Sequence, residues 1–372
     1  MQNKILNCHL AVMGIKILFI VPYPLKRSPS QRFRFEQYFQ LLQRNGFSFS
    51  VSSFLNSQNW QLFSKPGKPV DKLGALMRGF IKRFIDLLRA PFYHFIFIHR
   101  EATPIGPPVF EWMLKYIFRK KIIYDFDDAI WLTDKKNESA LERMLKWRNK
   151  VKYICRWSFK VSCSNEYLSS YASGFNQSVV YLPTTIDTDL LHNSALPNVK
   201  KKDSGITIGW TGSYSTLKYL KEVELVLTEI QLQHPHVTFL IIADRAPRLS
   251  IPSLRFMKWN PETEIQDLLN IDIGIMPLPD DEWTKGKGGF KCLQYMALKI
   301  PAVASGVGVN SKIVDQDING FLANNPEEWK HYLLKLIKDK NLRESMGIAG
   351  QKKVEENYSV VSNSPVFLSL FK

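Results

Sequence analysis

The sequence predicts an α/β fold in which two doubly wound parallel-sheet domains face each other across a cleft. Three observations predict it. Short apolar runs alternate with stretches of helical periodicity along the chain. No hairpin signal joins those runs, so helices must connect the strands, and the sheets become parallel and covered on both faces. The alternation also breaks at "LLHNSALPNVKKKDSG" (190–205), a stretch with Pro, Asn and a lysine run, and then restarts. A chain of 372 residues exceeds one comfortable core in any case.

"IKILFIV" (15–21) reads as a fully buried first strand. In "RFRFEQYFQLLQRNG", Phe35, Tyr38, Phe39 and Leu42 recur at helical spacing, and Gly46 ends the helix before a second strand, "FSFSVSSF" (47–54). "DKLGALMRGFIKRFIDLLRA" places Leu73, Leu76, Met77, Phe80, Phe84 and Leu87 on one stripe beside Lys72, Arg78, Lys82, Arg83 and Arg89; the stripe is expected to pack on the sheet, and the pattern also suits an anionic bilayer. "FIFIHR" (95–100), "KIIYDFDD" (121–128), "FKVSCS" (159–164) and "SVVYLP" (178–183) supply further strands. After the break come "ITIGW" (206–210), a helix from about Leu217 to His234, "VTFLIIAD" (237–244), a helix near Glu262–Leu269 and "IDIGIMPL" (271–278). "FKCLQYMALK", "PAVAS", "GFLA" and a helix over 326–338 complete the series. The limits that follow are a first domain over 1–190, a linker over 191–205 and a second domain over 206–355. A tail over 356–372 returns to the first domain.

Hydrophobic content of 45% and charged content of 23% are those of a globular chain. Cys8, Cys155, Cys163 and Cys292 show neither metal-ligand nor disulfide-framework spacing and read as buried thiols in a reducing compartment. No apolar run reaches the ~18–20 residues of a membrane span. Lys16 interrupts the opening apolar segment and no small-residue cleavage site follows, so a cytoplasmic location is expected, with Met13 an alternative start. Of the net charge of +16, residues 1–160 carry +17 and the remainder −1. The first domain therefore faces an anionic partner: nucleic acid, anionic lipid or a phosphorylated substrate. Ribonucleoprotein signatures and a recognition-helix motif are lacking, which argues against nucleic acid.

Loops after strands carry the chemistry of such sheets. In "GWTGSYSTLKYL", Gly212, Ser213 and Ser215 precede a helix, with Lys218 in its first turn. Small residues there leave backbone N–H groups and the helix dipole available to an anion, or form an ordinary capped turn. "GKGGFKCLQYMALKIPAVASGVG" (286–308) repeats the arrangement. Gly288 and Gly289 permit close backbone approach, and Lys287 and Lys291 stand ready as point charges. Two such turns in one domain fit a diphosphate held between them. In the first domain, Arg32 and Arg34 follow the first strand, Arg100 and Glu101 end "FIFIHR", and Asp125, Asp127 and Asp128 end "KIIYDFDD". Three clustered acids repel unless a cation, an arginine or sugar hydroxyls share them, or unless Asp127 or Asp128 caps a helix. His99 reads as a satisfied core histidine.

The second half resembles the donor domain of GT-B glycosyltransferases of the retaining, family 4-like group. That group's E-x-F-G loop, L-E-A-M-A helix and G-x-P-V-V-A-S segment match the frame of "GKGGFKCLQYMALKIPAVAS", with Met296, Ala297, Pro301, Ala304 and Ser305 in place. "NGFLANNPEEW" and "LRESMGIAGQKKVEENYS" resemble the segments that follow, and "IIYDFDDAIW" resembles a stretch of one subset; the likeness spans about 14–358. It implies two Rossmann-like domains, a UDP- or GDP-linked sugar as donor substrate, and no cofactor or metal. Phe290 joins Gly212, Ser213, Gly288, Gly289, Lys291 and Gln294 as donor contacts. Lys218, Lys287, Asp127 and Asp128 are the catalytic candidates; Arg32, Arg34, Arg100, Glu101 and Asp125 lie on the acceptor side. The group's two glutamates fall on Gly286 and Gln294. Gln294 keeps a hydrogen-bonding group for a ribose, whereas Gly286 has none for the sugar, so an altered donor site is expected. The implied function is hexosyl transfer to a lipid-linked or oligosaccharide acceptor in surface-polysaccharide assembly, at the inner face of the plasma membrane and in peripheral contact with anionic lipid. A sugar-nucleotide epimerase and a noncatalytic sugar-nucleotide binder are the alternatives.

Overall fold

The computed structural model describes residues 14–63, 67–135, 137–192 and 205–372; the expectations for the opening segment and for linker residues 193–204 lie outside the described residues. The chain forms two compact units, Met1–Leu182 with Ser364–Lys372, and Pro183–Asn363. The limits read from sequence lay at 190 and 205.

The first unit holds β1 (Lys16–Val21), β2 (Ser48–Ser53), β3 (Phe95–His99), β4 (Lys121–Phe126), β5 (Lys160–Cys163) and β6 (Val179–Tyr181). They form one sheet in the order β2-β1-β3-β4-β5-β6, every pair parallel. Ile17 to Val21 are all buried, as a strand covered on both faces requires. Phe19 packs among Phe35, Phe39, Phe49 and Phe97 with ring centroids 4.8–5.8 Å apart. The end of the chain joins this core: Phe367 stacks on Tyr38 at 4.1 Å, and Phe371 packs on Phe47 and Phe95.

The helix Pro69–Arg89 divides its expected stripe. Leu87 is buried and Leu76 and Phe80 are half-buried, beside the inward Ala75, Gly79, Arg83 and Asp86, whereas Leu73, Met77 and Phe84 are exposed. The reason is a buried ion pair. Arg83 bonds Asp86 at 2.8 Å and donates to the carbonyls of Val21, Ser52 and Ala102, while the Ser52 hydroxyl donates to Asp86 at 2.6 Å. Gly79 lets the ring of Phe54 in, since a Cβ there would meet it at 2.4 Å. A helix whose polar residues bond the sheet's end must turn part of its apolar stripe outward.

The second unit holds β7 (Ile206–Gly212), β8 (Val237–Ala243), β9 (Leu254–Lys258), β10 (Ile273–Met276), β11 (Ala302–Ala304) and β12 (Gly320–Leu322). Their order is β12-β11-β10-β7-β8-β9, again wholly parallel. Trp210, Phe239, Ile241, Leu227, Ile230, Trp329 and Leu333 share its core. The edge strand β9 was not anticipated, because "LRFMK" is half exposed and lacks the apolar run of its neighbours. The expected helix over 217–234 is split into a 3₁₀ segment, Tyr214–Glu222, and an α-helix, Glu224–Gln233. Cys155, Cys163 and Cys292 are free and buried, and burial pushes the Cys155 and Cys292 thiols up to about 12.

Candidate functional site

In each sheet the strand order reverses once, between β1 and β3 and between β7 and β10. Ligands of doubly wound sheets gather beyond the carboxyl ends of the strands at such points. The residues singled out from sequence fall at these two places.

In the second unit, β7 ends at Gly212, whose missing side chain admits the Trp210 ring and the Thr216 hydroxyl; a Cβ would meet them at 2.5 and 2.9 Å. Ser213 precedes the 3₁₀ segment and accepts from Thr216 N and Thr216 Oγ1, both at 2.9 Å. Its hydroxyl lies 2.9 Å from that of Ser215. Asp244, just past β8, takes the Tyr214 amide at 2.6 Å, and Arg245 lies over the Tyr214 ring at 4.8 Å. Sequence reasoning missed both, although "IIADRAP" puts them directly after a strand. A carboxylate on this turn weakens it as an anion site, and a 3₁₀ segment offers a shorter dipole than an α-helix. Lys218 is exposed on this segment, beside the ring of Tyr219.

Beyond β10 the chain makes a capped turn: Asp281 and Thr284 bond reciprocally, and Thr284 Oγ1 donates to the Pro279 carbonyl at 2.6 Å. Gly286 ends the short helix Glu282–Lys285 and is buried. Lys287 Nζ lies over the Trp283 ring at 4.8 Å. Gly289 starts the helix Phe290–Ala297 with a φ of 66°, a left-handed conformation that favours glycine, and a Cβ there would meet Ile313 at 2.1 Å. Gly289 is thus fixed by its backbone and its packing. Gly288 and Phe290, on either side of it, are half-buried, and Lys291 Nζ reaches back over the Trp210 ring at 5.2 Å. That contact brings the second lysine turn to the end of β7, as does Tyr295, whose hydroxyl accepts from Thr211 N at 3.0 Å. Gln294 turns inward, 1% exposed; its amide donates to Glu264 at 3.5 Å and lies 3.3 Å from His192 Nε2.

In the first unit the three acids are shared among basic side chains. Asp125 and Arg34, both buried, form an ion pair at 2.5 Å, and Arg34 also donates to Ser162 Oγ and to the Leu182 carbonyl. Burial alone would raise the Asp125 carboxyl, but Arg34 and His99 outweigh it and hold that group well below the usual carboxylate range. Arg100 lies 3.5 Å from Asp127 and 3.1 Å from Asp128. It adopts a φ of 62°, held by its amide on the Asp125 carbonyl at 2.8 Å and its own carbonyl on the Tyr124 hydroxyl at 2.7 Å. An arginine in that conformation is uncommon, and such strain collects at functional sites. Glu101 pairs with Lys150 at 2.7 Å, and Arg32 lies over the Phe33 ring.

The sequence did not reveal a relay through this cluster. His99 Nδ1 is 2.8 Å from Asp125 Oδ2, and His99 Nε2 is 2.8 Å from Ser30 Oγ. Ser30 is half-buried and lies 3.4 Å from Arg100 Nη1. Ser30 Oγ, the buried imidazole and Asp125 thus form a continuous hydrogen-bonded path along which a proton at Ser30 can pass. The only sequence cue was a serine in the loop after β1 and a histidine at the end of β3, types too common to be informative. Among the described residues no group of three or more His, Cys, Asp or Glu is arranged to hold a metal ion.

The family described as Glycosyl transferases group 1 matches residues 212–353, a span that contains both lysine-bearing turns of the second unit. No curated protein matches the chain. Among solved structures, sucrose-phosphate synthase from Thermosynechococcus elongatus superposes with a TM-score of 0.68 at 14% identity, over 96% of this chain and 99% of that one. Anabaena HepE, solved in complex with UDP-glucose, gives 0.64 at 15% identity with 96% and 99% covered. S. aureus TarM, in complex with fondaparinux, alpha-GlcNAc-glycerol and UDP, gives 0.56 at 14% identity, with 79% and 59% covered. These likenesses establish the GT-B fold, two Rossmann-like domains with parallel sheets.

Proposed function

We propose that this chain is a glycosyltransferase that moves a hexosyl group from a UDP- or GDP-linked sugar to a lipid-linked or oligosaccharide acceptor in surface-polysaccharide assembly. The observation that carries the reading is the family match over 212–353, which encloses Lys218, Lys287 and Lys291 at the strand ends of one switch point. Breaking the bond between the anomeric carbon and the diphosphate leaves negative charge on the departing nucleotide. Lys218, Lys287 and the amides after Ser213 and Gly289 would stabilise it, with Gly212, Gly288 and Phe290 shaping the approach. Retention of configuration is the first expectation, with the leaving phosphate taking the acceptor's proton. Arg32, Arg100, Glu101, Asp127 and Asp128 stand on the acceptor side. Arg34 and Asp125, buried together, support that side through His99. Work at a lipid-linked acceptor places the chain at the inner face of the plasma membrane.

One observation favours a second stereochemistry. The Ser30–His99–Asp125 relay supplies a base on the protein. Displacement with His99 receiving the acceptor's proton through Ser30 would invert the anomeric centre.

Thermal-shift screening with UDP-, GDP- and CMP-sugars tests the donor class, because a ligand at 100 times its Kd adds about 2.7 kcal/mol of apparent stability. No shift with any of them would remove the donor site. Lys287→Ala is expected to lower donor affinity and turnover together; unchanged kinetics would exclude Lys287. Proton NMR of the fresh product reads the anomeric configuration. If the relay is the base, Ser30→Ala and His99→Gln each lower kcat by about 10²–10⁴ with KM little changed. Retention with unaltered turnover in both variants would leave the phosphate as base.

A further inference from the structure

We propose that the outward face of the helix Pro69–Arg89, completed by the aromatic row on the neighbouring helices Val109–Tyr116 and Lys150–Trp157, is a docking surface for an anionic lipid bilayer. The inference deepens the reading above by naming the surface that would meet the membrane, and it rests on that reading for its purpose.

Val70, Leu73, Met77, Ile81, Phe84, Ile85 and Leu88 recur at intervals of mostly three and four residues and are all exposed. Leu88, and Phe92 just beyond the helix, are each 73% exposed. A soluble surface seldom carries so many large apolar side chains on one helix face. The buried Arg83–Asp86 pair fixes which face is outward, so the stripe cannot turn in without breaking it. On the next helix Val109, Trp112, Tyr116 and Ile117 are also exposed. A line of rings then runs Trp112–Tyr116–Trp157–Tyr153–Trp147, with successive centroids 5.8–6.1 Å apart. Tryptophan and tyrosine, each with an apolar body and one polar tip, favour the boundary between acyl chains and headgroups.

The charge around this face has one sign. Arg78, Arg89, Lys115, Lys152 and Arg156 lie on the three helices. Of their acids, Asp86 and Glu111 are buried and only Asp71 is exposed. Phe92 also forms one lip of an open groove of about 940 Å³, lined by His94, Arg119, Lys120, Lys121 and Lys372, which suits a phosphate-bearing headgroup. Apolar centre, aromatic border and basic surround together match an anionic interface. A second copy of the chain fits less well, because a self-complementary contact would set these cations against their own kind.

Co-sedimentation of the full chain with vesicles of phosphatidylcholine, with and without phosphatidylglycerol, tests the surface. The chain is expected to bind the anionic vesicles far better than the neutral ones, and less as salt rises. The triple variant Leu73→Ser, Met77→Ser, Leu88→Ser should bind at least about tenfold more weakly with an unchanged melting temperature, since all three side chains face solvent. The pair Arg78→Glu, Lys115→Glu should lose both binding and salt dependence. Absence of vesicle binding overturns the proposal, as does equal binding by the triple variant. So does a wild-type dimer in light scattering that the triple variant dissolves while both ignore vesicles; that result assigns the face to a second copy. Titration of the same preparations with UDP and with GDP separates the two readings. Vesicle binding without binding of either nucleotide leaves this surface and sinks the donor site, and the converse sinks the surface alone.

Discussion

Arg34 shows how much one side chain decides. As a sequence feature it was an acceptor-side cation after the first strand; in the fold it is buried against Asp125, Ser162 and Leu182. Removing one partner of a buried pair strands the other charge, so Arg34→Met is expected to cost about 3–5 kcal/mol in urea unfolding. The same pair sets a pH dependence. Asp125 titrates below its ordinary range when folded, so the unfolded chain takes up that proton more readily. Its contribution is complete above the unfolded value of about 3.9 and is lost as pH falls below it. Acidification should therefore weaken the wild type more than Arg34→Met, and equal losses would mean that the shift has another source. An arginine was among the expected partners of the acids, but which one was not legible, because periodicity cannot tell which polar residue after a strand turns inward. His99 was legible as a core residue, whereas its two partners, 69 and 26 positions away, were not.

At the level of elements, the apolar runs marked most of the strands and left their ends within a few residues. Type and order came from burial, which demands unbroken apolar residues where a parallel strand is covered twice. What the pattern left undecided was the direction of the helix Pro69–Arg89. A stripe of leucine and phenylalanine signals amphipathicity but not which side the sheet will take; the Arg83–Asp86 pair made that choice through bonds to Val21, Ser52 and Ala102. The turn before Phe290 is the opposite case, a glycine read for phosphate approach and found to be set by φ and by Ile313. Gly289→Ala should lose at least about 2 kcal/mol, from the left-handed backbone together with overpacking, and should weaken UDP binding by misplacing Lys287 and Lys291. A stable variant with normal UDP affinity would detach that turn from the donor site.

For the whole molecule, the two-unit organisation has a physical consequence at the chain's end. Ser364–Lys372 belong to the first unit although the preceding residues belong to the second. Phe367, Leu370 and Phe371 are buried there. Phe367→Ala should cost the first unit about 3–5 kcal/mol, read as an earlier loss of its near-ultraviolet signal, while UDP binding to the second unit persists at low temperature. A variant that melts like the wild type would show that Ser364–Lys372 contribute little to the first core. The asymmetry of charge, +17 on residues 1–160, is likewise a property of the molecule that no single element shows.

By itself the sequence determined two parallel sheets, most of their strands and the turns that carry lysine and glycine, because hydrophobic period and turn chemistry are local and repeat along the chain. Only the tertiary structure decided which polar residues meet. Ser30, His99 and Asp125 come together because β1, β3 and β4 are neighbours in one sheet, and the exposed residues of the stripe stay outside because Arg83, on the same helix, is bonded to Val21, Ser52 and Ala102. Both outcomes depend on distances between residues far apart in the chain, and a linear pattern carries no such distances.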